Sequence, residues 1–131
     1  MVALDTNVVV RLLVNDDKAQ GRRARALLSQ AIEAGEPCLV TPPVLCELVW
    51  VLESVYGARH ADIVAAVQAL LSHPAVSVDE PDIVRAALDA FQRSRGDYAD
   101  HLIGALSIAR KARTTYTFDQ SLKRVEGFTL L

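Results

Sequence analysis

The sequence predicts an α/β fold on a mainly parallel sheet. Short apolar runs, at 2–4, 37–41, 75–78, 114–117 and 128–130, alternate with longer stretches of helical period. Strands joined by helical crossovers produce this alternation. The chain has 131 residues, 51% of them hydrophobic, enough for one core and too few for two comfortable ones, so residues 1–131 read as a single domain. No repeat, low-complexity tract or linker interrupts it.

The elements follow in order. A first strand at 2–4 leads into a helix from Thr6 to Val14 that stops at the polar turn Asn15-Asp16-Asp17. The second helix, 18–34, ends at Gly35, a residue suited to the left-handed C-cap. After the strand at 37–41, Pro42-Pro43 opens a third helix running to Gly57, since a first turn tolerates proline. A fourth helix, 61–72, is closed by Pro74, and a strand at 75–78 follows. A fifth begins near Pro81 and ends at Gly96. The sixth, 98–112, carries Ala99, Leu102, Ile103, Leu106 and Ala109 at core-facing spacing. Strands at 114–117 and 128–130 complete the sheet.

Charge and cysteine usage narrow the function. With 14 Lys+Arg against 16 Asp+Glu, the net charge of -2 argues against a protein that holds nucleic acid chiefly by a basic surface. Contact with phosphate through a bound metal stays open, because a divalent cation can be the largest local charge in a site. Cys38 and Cys46 form no C-x-x-C pair and lie at no metal-ligand spacing with His60, His73 or His101, so they read as buried thiols in a reducing cytoplasm. The first residues lack the basic leader and long apolar core of a signal peptide, and no apolar run approaches a membrane span.

In open parallel sheets, ligands gather beyond the carboxyl ends of the strands, which makes acids just past strands candidates for a site. Asp5 follows the first strand and Asp119 the fourth, while Asp97 and Asp100 stand where the sixth helix starts. Each has an ordinary alternative: Asp5 and Asp97 as helix N-caps, Asp100 as an acid at a positive helix end, Asp119 as a turn or cap residue. Glu47 is the only charge between Val44 and Leu52, and its neighbours Pro43, Val44, Trp50 and Val51 are apolar. An unpaired carboxylate on such a face must reach solvent, pair with a cation or bind a metal, and no Lys or Arg lies within helical reach. Acids without a His or Cys partner suit hard cations, magnesium or manganese rather than zinc. Such an ion relieves repulsion among carboxylates, acidifies bound water and neutralises charge on a phosphodiester.

Ala3-Leu4-Asp5-Thr6-Asn7-Val8 followed by Arg11-Leu12-Leu13 resembles the opening of PIN-domain proteins, in particular the VapC-like ribonuclease toxins of type II toxin-antitoxin pairs. Three further blocks agree in order and spacing. They are Thr41-Pro42-Pro43-Val44-Leu45-Cys46-Glu47-Leu48, then Asp97-Tyr98-Ala99-Asp100-His101-Leu102-Ile103-Gly104-Ala105, and finally Thr115-Tyr116-Thr117-Phe118-Asp119. The resemblance implies a three-layer α/β/α sandwich and magnesium-dependent endoribonuclease activity, manganese being able to substitute. Asp5, Glu47, Asp100 and Asp119 fall in the positions of the family's acidic quartet. Asp97 falls where many relatives carry a further acid, so it too is a metal-ligand candidate. Thr6, Asn7 and Thr117 match polar positions that orient ligands. The resemblance also implies an RNA substrate, a homodimer, and a cognate antitoxin protein that blocks the acidic crevice.

One departure is His101, where relatives usually carry a small residue; it projects about 100° away from Asp100 on a helix and reads as a surface or packing histidine. Arg11, Lys18, Arg22, Arg23, Arg93, Arg95 and Lys123 are the cations available to RNA, although Lys and Arg on amphipathic helices usually form only the solvated face. Trp50 and Phe91 read as core rather than as a stacking platform. The apolar content of Leu48-Val49-Trp50-Val51-Leu52, Ile63-Val64 and Leu70-Leu71 suits either a generous core or a partner interface. Two rivals remain. One is a catalytically silent interaction domain in which the acids are caps. The other is phosphoryl transfer through Asp5 as an aspartyl nucleophile, against which stands Asn7 where that chemistry places a second acid.

Overall fold

Every strand pairing in this chain is parallel. A computed structural model describes residues 1–131, which form two compact units, Met1–Asp79 and Glu80–Leu131. The first unit contains α1 (Thr6–Leu13), α2 (Lys18–Ala34), β1 (Cys38–Val40), α3 (Pro42–Ser54), α4 (His60–Ser72) and β2 (Val76–Val78). The second contains α5 (Pro81–Arg93), α6 (Tyr98–Ala109), β3 (Thr115–Thr117) and β4 (Phe128–Leu130), with a 3-10 turn at Gln120–Leu122. The mixed α/β class expected from the sequence is the one observed.

In the first unit, β1 is paired on both sides. Cys38, Leu39 and Val40 lie opposite Val76, Ser77 and Val78, while Leu39 also bridges Ala3. The expected first strand is therefore reduced to one bridge. The reason is local: Asp5 caps α1 immediately after Leu4, accepting the Thr6 amide at 2.8 Å, so the extended segment is too short for a ladder. Leu45, Leu48, Ile63 and Val67 are fully buried beside β1 residues Cys38 and Val40 in the core of this unit. Gly35 takes the left-handed C-cap of α2 as expected, with its amide on the Ala31 and Ile32 carbonyls.

In the second unit, β3 pairs with β4, with Thr115, Tyr116 and Thr117 opposite Phe128, Thr129 and Leu130. Helix α6 ends at Ala109, three residues short of the expected Ala112, where Lys111 adopts a left-handed backbone and breaks the helical repeat. Its buried face also differs from the expected stripe. Tyr98, His101 and Leu102 are buried, whereas Ile103 is 51% exposed and Ala109 is exposed. An aromatic cluster sets this rotation: the Phe91 ring of α5 meets Tyr98 edge-on at 5.9 Å and His101 at 6.3 Å. His101, 3% exposed, is thus a packing histidine.

The two aromatic residues expected in the core part company. Phe91 is 1% exposed, but Trp50 is 66% exposed, on the face of α3 that also carries Pro43, Glu47 and Ser54. Helical spacing explains the correction: the stripe Val44, Leu45, Leu48, Val49 and Leu52 fills the buried side, leaving position 50 on the opposite arc. Most of the apolar content of α3 and α4 therefore serves the core, with Trp50 and Val55 the large residues left exposed there. No helix is long and apolar enough to cross a membrane.

Phe91→Ala is expected to cost about 3–5 kcal/mol, whereas Trp50→Ser stays within about 0.5 kcal/mol of the parent. Urea unfolding of the two variants checks this; equal losses would mean that Trp50 is packed as the sequence suggested.

Candidate active site

The parallel register of the first unit aligns the residues that leave its strands. Ala3, Leu39 and Ser77 lie side by side, so Asp5, Thr41 and Asp79, each two residues further on, emerge at one edge. Asp5 starts α1 and Thr41 starts α3. Asp79 was not among the sequence candidates. Its signal was the same as that of Asp5, an acid directly after an apolar run, here Val76-Ser77-Val78.

Thr6 joins two of the acids of this unit, Asp5 and Glu47. It is 8% exposed, its amide donates to Asp5 Oδ1, and its hydroxyl donates to Glu47 Oε1 at 3.2 Å. One residue thus positions carboxylates that lie far apart in sequence. Glu47 is exposed and has no ion pair, which satisfies the requirement that it reach solvent. Asn7 is exposed one residue further along α1 and lines a groove between α1 and α2.

In the second unit, Asp97 and Asp100 form a reciprocal capping box at the start of α6, with the Asp97 amide donating to Asp100 Oδ2 at 2.9 Å. Asp119 Oδ1 accepts from the Ser121 amide at 2.9 Å and the Ser121 hydroxyl at 2.7 Å. These bonds hold its carboxyl below the ordinary value. The Asp119 amide in turn donates to Thr117 Oγ1 at 3.0 Å, so Thr117 fixes the chain where Asp119 departs from β3.

Gly96 is a requirement of this corner that sequence reasoning read only as a helix end. Its φ is +102°, and a Cβ there would stand 2.6 Å from Leu122 Cδ2 and 3.4 Å from both Asp100 Oδ2 and His101 Nε2. The residue that admits the left-handed turn also admits the side chains of Asp100 and Leu122. Nε2 of the buried His101 has no hydrogen-bond partner.

The capping roles foreseen as alternatives for Asp5, Asp97 and Asp119 are all present, yet a cap uses only part of a carboxylate. An ionised Asp offers about four acceptor positions, and Asp5 commits one oxygen to Thr6. Within neither unit do three His, Cys, Asp or Glu side chains converge at metal-holding spacing. The donor chemistry nonetheless fits a hard divalent cation: carboxylate and hydroxyl oxygens are present, while Cys38 is buried and burial raises the thiols of Cys38 and Cys46.

A family model described as PIN domain matches residues 2–127. No curated protein matches the chain.

Ser121→Ala is expected to raise the Asp119 carboxyl toward 3.8, its ordinary value, because one of two stabilising hydrogen bonds is removed. The parent carboxyl titrates below its unfolded value, so its contribution to stability is present above that value and lost as pH falls through the folded one. Carboxyl carbon NMR in chelator reads both titrations, and coincident curves would contradict the assignment. Gly96→Ala is expected to destabilise by about 2–4 kcal/mol through the positive φ and the clash with Leu122. Thermal unfolding checks it, since an unchanged midpoint would mean the corner is not as described.

Proposed function

Because the chain belongs to the PIN-domain family, whose fold is generally that of a nuclease, we propose that this protein is a magnesium-dependent endoribonuclease. The observation that carries the reading is the bridge through Thr6, which orients Glu47 while its amide holds Asp5. Glu47 lies on the exposed face of α3 without an ion pair, so the Thr6 hydroxyl orients a carboxylate that is otherwise open to a metal-phosphate site.

Asp5, Glu47, Asp100 and Asp119 are the carboxylates we assign to metal binding and catalysis, with Asp97 as a further ligand. Magnesium, or manganese in its place, would supply a more acidic water and neutralise charge on the phosphodiester. Thr6 holds Glu47 in a single orientation, and Thr117 sets the departure angle of Asp119. The two hydrogen bonds from Ser121 keep Asp119 ionised and able to accept. Asn7, two residues past Asp5 in sequence, is an exposed neutral amide that can bind a phosphate oxygen without adding repulsion.

The finer reading is the toxin of a toxin-antitoxin pair, acting as a homodimer and restrained by a cognate antitoxin protein. Its support is the sequence resemblance together with exposed apolar residues, Trp50 and Val55 in the first unit and Ile103 and Ile108 in the second. A single domain over 1–131 is supported by one family match running through both units. A cytoplasmic location is supported by the two free thiols. The competing reading, a catalytically silent interaction domain, is favoured by the caps that Asp5, Asp97 and Asp119 provide.

Purified protein is expected to cut a mixed RNA pool with magnesium or manganese. Chelator or the Asp5→Ala, Asp100→Ala double substitution abolishes cutting, and Thr6→Val reduces it by about 10–100-fold. Equal inertness of parent and double variant, with no metal bound to either in calorimetry, would leave the interaction domain as the reading.

A further inference from the structure

Helix α2 breaks a local rule. Lys18, Arg22, Arg23 and Arg25 crowd its first half, and no acidic residue follows on the helix until Glu33. Cations near a helix N-terminus oppose its dipole, and the pairs Lys18/Arg22 and Arg22/Arg25 stand at spacings where like charges repel. None of the four has an ion pair within the chain. Departures of this kind from local consistency mark functional positions.

The α1–α2 groove shows which of these cations has a use. A cavity of about 570 Å³ runs between the helices, with Asn7 and Arg11 on one wall and Gln20, Arg23 and Leu27 on the other. Arg11 is already committed: it donates to Asp16 at 2.9 Å and to Gln20 at 2.6 Å, and Tyr56 completes the cluster by donating to Asp16 at 2.5 Å. Arg23 is exposed, faces the groove and has no hydrogen bond or ion pair. Asn7, lining the same groove, is two residues past Asp5.

We propose that this groove is a subsite for the phosphodiester backbone of RNA, with Arg23 holding a phosphate next to the bond that is cut and Asn7 donating to it. The inference rests on the nuclease reading and assigns a positioning residue to it. Guanidinium binds phosphate in two-pronged fashion, and the neighbouring amides supply further donors. At an overall charge of -2 the surface as a whole does not attract RNA, so a local cation such as Arg23 adds to what a bound metal would supply. An acidic protein segment carries the same charge, and competition distinguishes it from RNA.

The test is steady-state cleavage of a single-stranded oligoribonucleotide by the full chain at several salt concentrations. Arg23→Gln is expected to raise KM about tenfold with kcat unchanged, and Arg23→Lys to recover part of the loss. The slope of log(kcat/KM) against log salt falls by about 0.7, the loss of one phosphate contact to a single strand. Arg22→Gln, on the same helix but outside the groove, leaves KM unchanged, and circular dichroism shows whether each variant is folded. A parent enzyme that cuts RNA while Arg23→Gln matches Arg22→Gln in KM and slope overturns the subsite alone. A parent that neither cuts nor binds RNA overturns the nuclease reading and the subsite with it. Competition by an oligoglutamate peptide stronger than by RNA, and lost in Arg23→Gln, reassigns the groove to an acidic protein segment.

Discussion

The first unit depends on the pairing of three residues, Cys38–Val40. This strand has neighbours on both sides, with the Leu4 amide donating to the Leu39 carbonyl, the Cys38 amide to Ala75 and the Asp79 amide to Val40. Buried amides and carbonyls must find partners, so the strand at the centre dictates the register of both others. Because all run parallel, their carboxyl ends coincide. Asp5, Thr41 and Asp79 leave the sheet at the same level, and α1 and α3 start from one edge. The candidate site of this unit is a consequence of that register.

The candidate acids are held largely by the backbone they cap. Asp5 and Asp119 each follow an extended segment and Asp97 follows the turn at Gly96; all three open a helical turn, which fixes the backbone and points the carboxylate. A capping carboxylate is therefore preorganised by the same bonds that stabilise its helix start, while its remaining lone pairs stay available. A cap at these positions therefore leaves room for the chemical role proposed for them. Glu47 differs, because it lies within α3 and caps nothing. A hydroxyl from another helix orients it, and Thr6 is the buried polar residue that supplies this bond. Orientation by a partner distant in sequence is what a purely local role for Glu47 would not require.

Aromatic residues show where periodicity loses its grip. On α6 two adjacent arcs are apolar enough to face a core, and the edge-on contacts of Phe91 with Tyr98 and His101 select the arc that carries those two rings. Gly104 adds a constraint of the same kind, since a Cβ there would stand 2.9 Å from the Phe128 ring, which β4 lays against α6 at that point. On α3 the aliphatic stripe was wide enough to leave Trp50 outside. Ring packing and close approach are properties of pairs of elements, and no single helical wheel contains them.

The order of helices and strands, the parallel α/β class and the C-cap at Gly35 were legible in the residues alone, and the caps at Asp5 and Asp97 were among the alternatives they offered. Each follows from hydrophobic period or from a residue's own backbone preference, both local and written within a few positions. The acidic candidates were legible for the same reason, as carboxylates beside strand ends or alone on an apolar face. The rest was settled by packing. It reduced the first strand to one bridge, turned α6 about its axis, and exposed Trp50. It joined Thr6 to Glu47 across 41 positions and left Arg23 unpaired in a groove where Arg11 is neutralised. These outcomes depend on which surfaces and charges meet in space, and the sequence constrains that only through the packing of the folded chain.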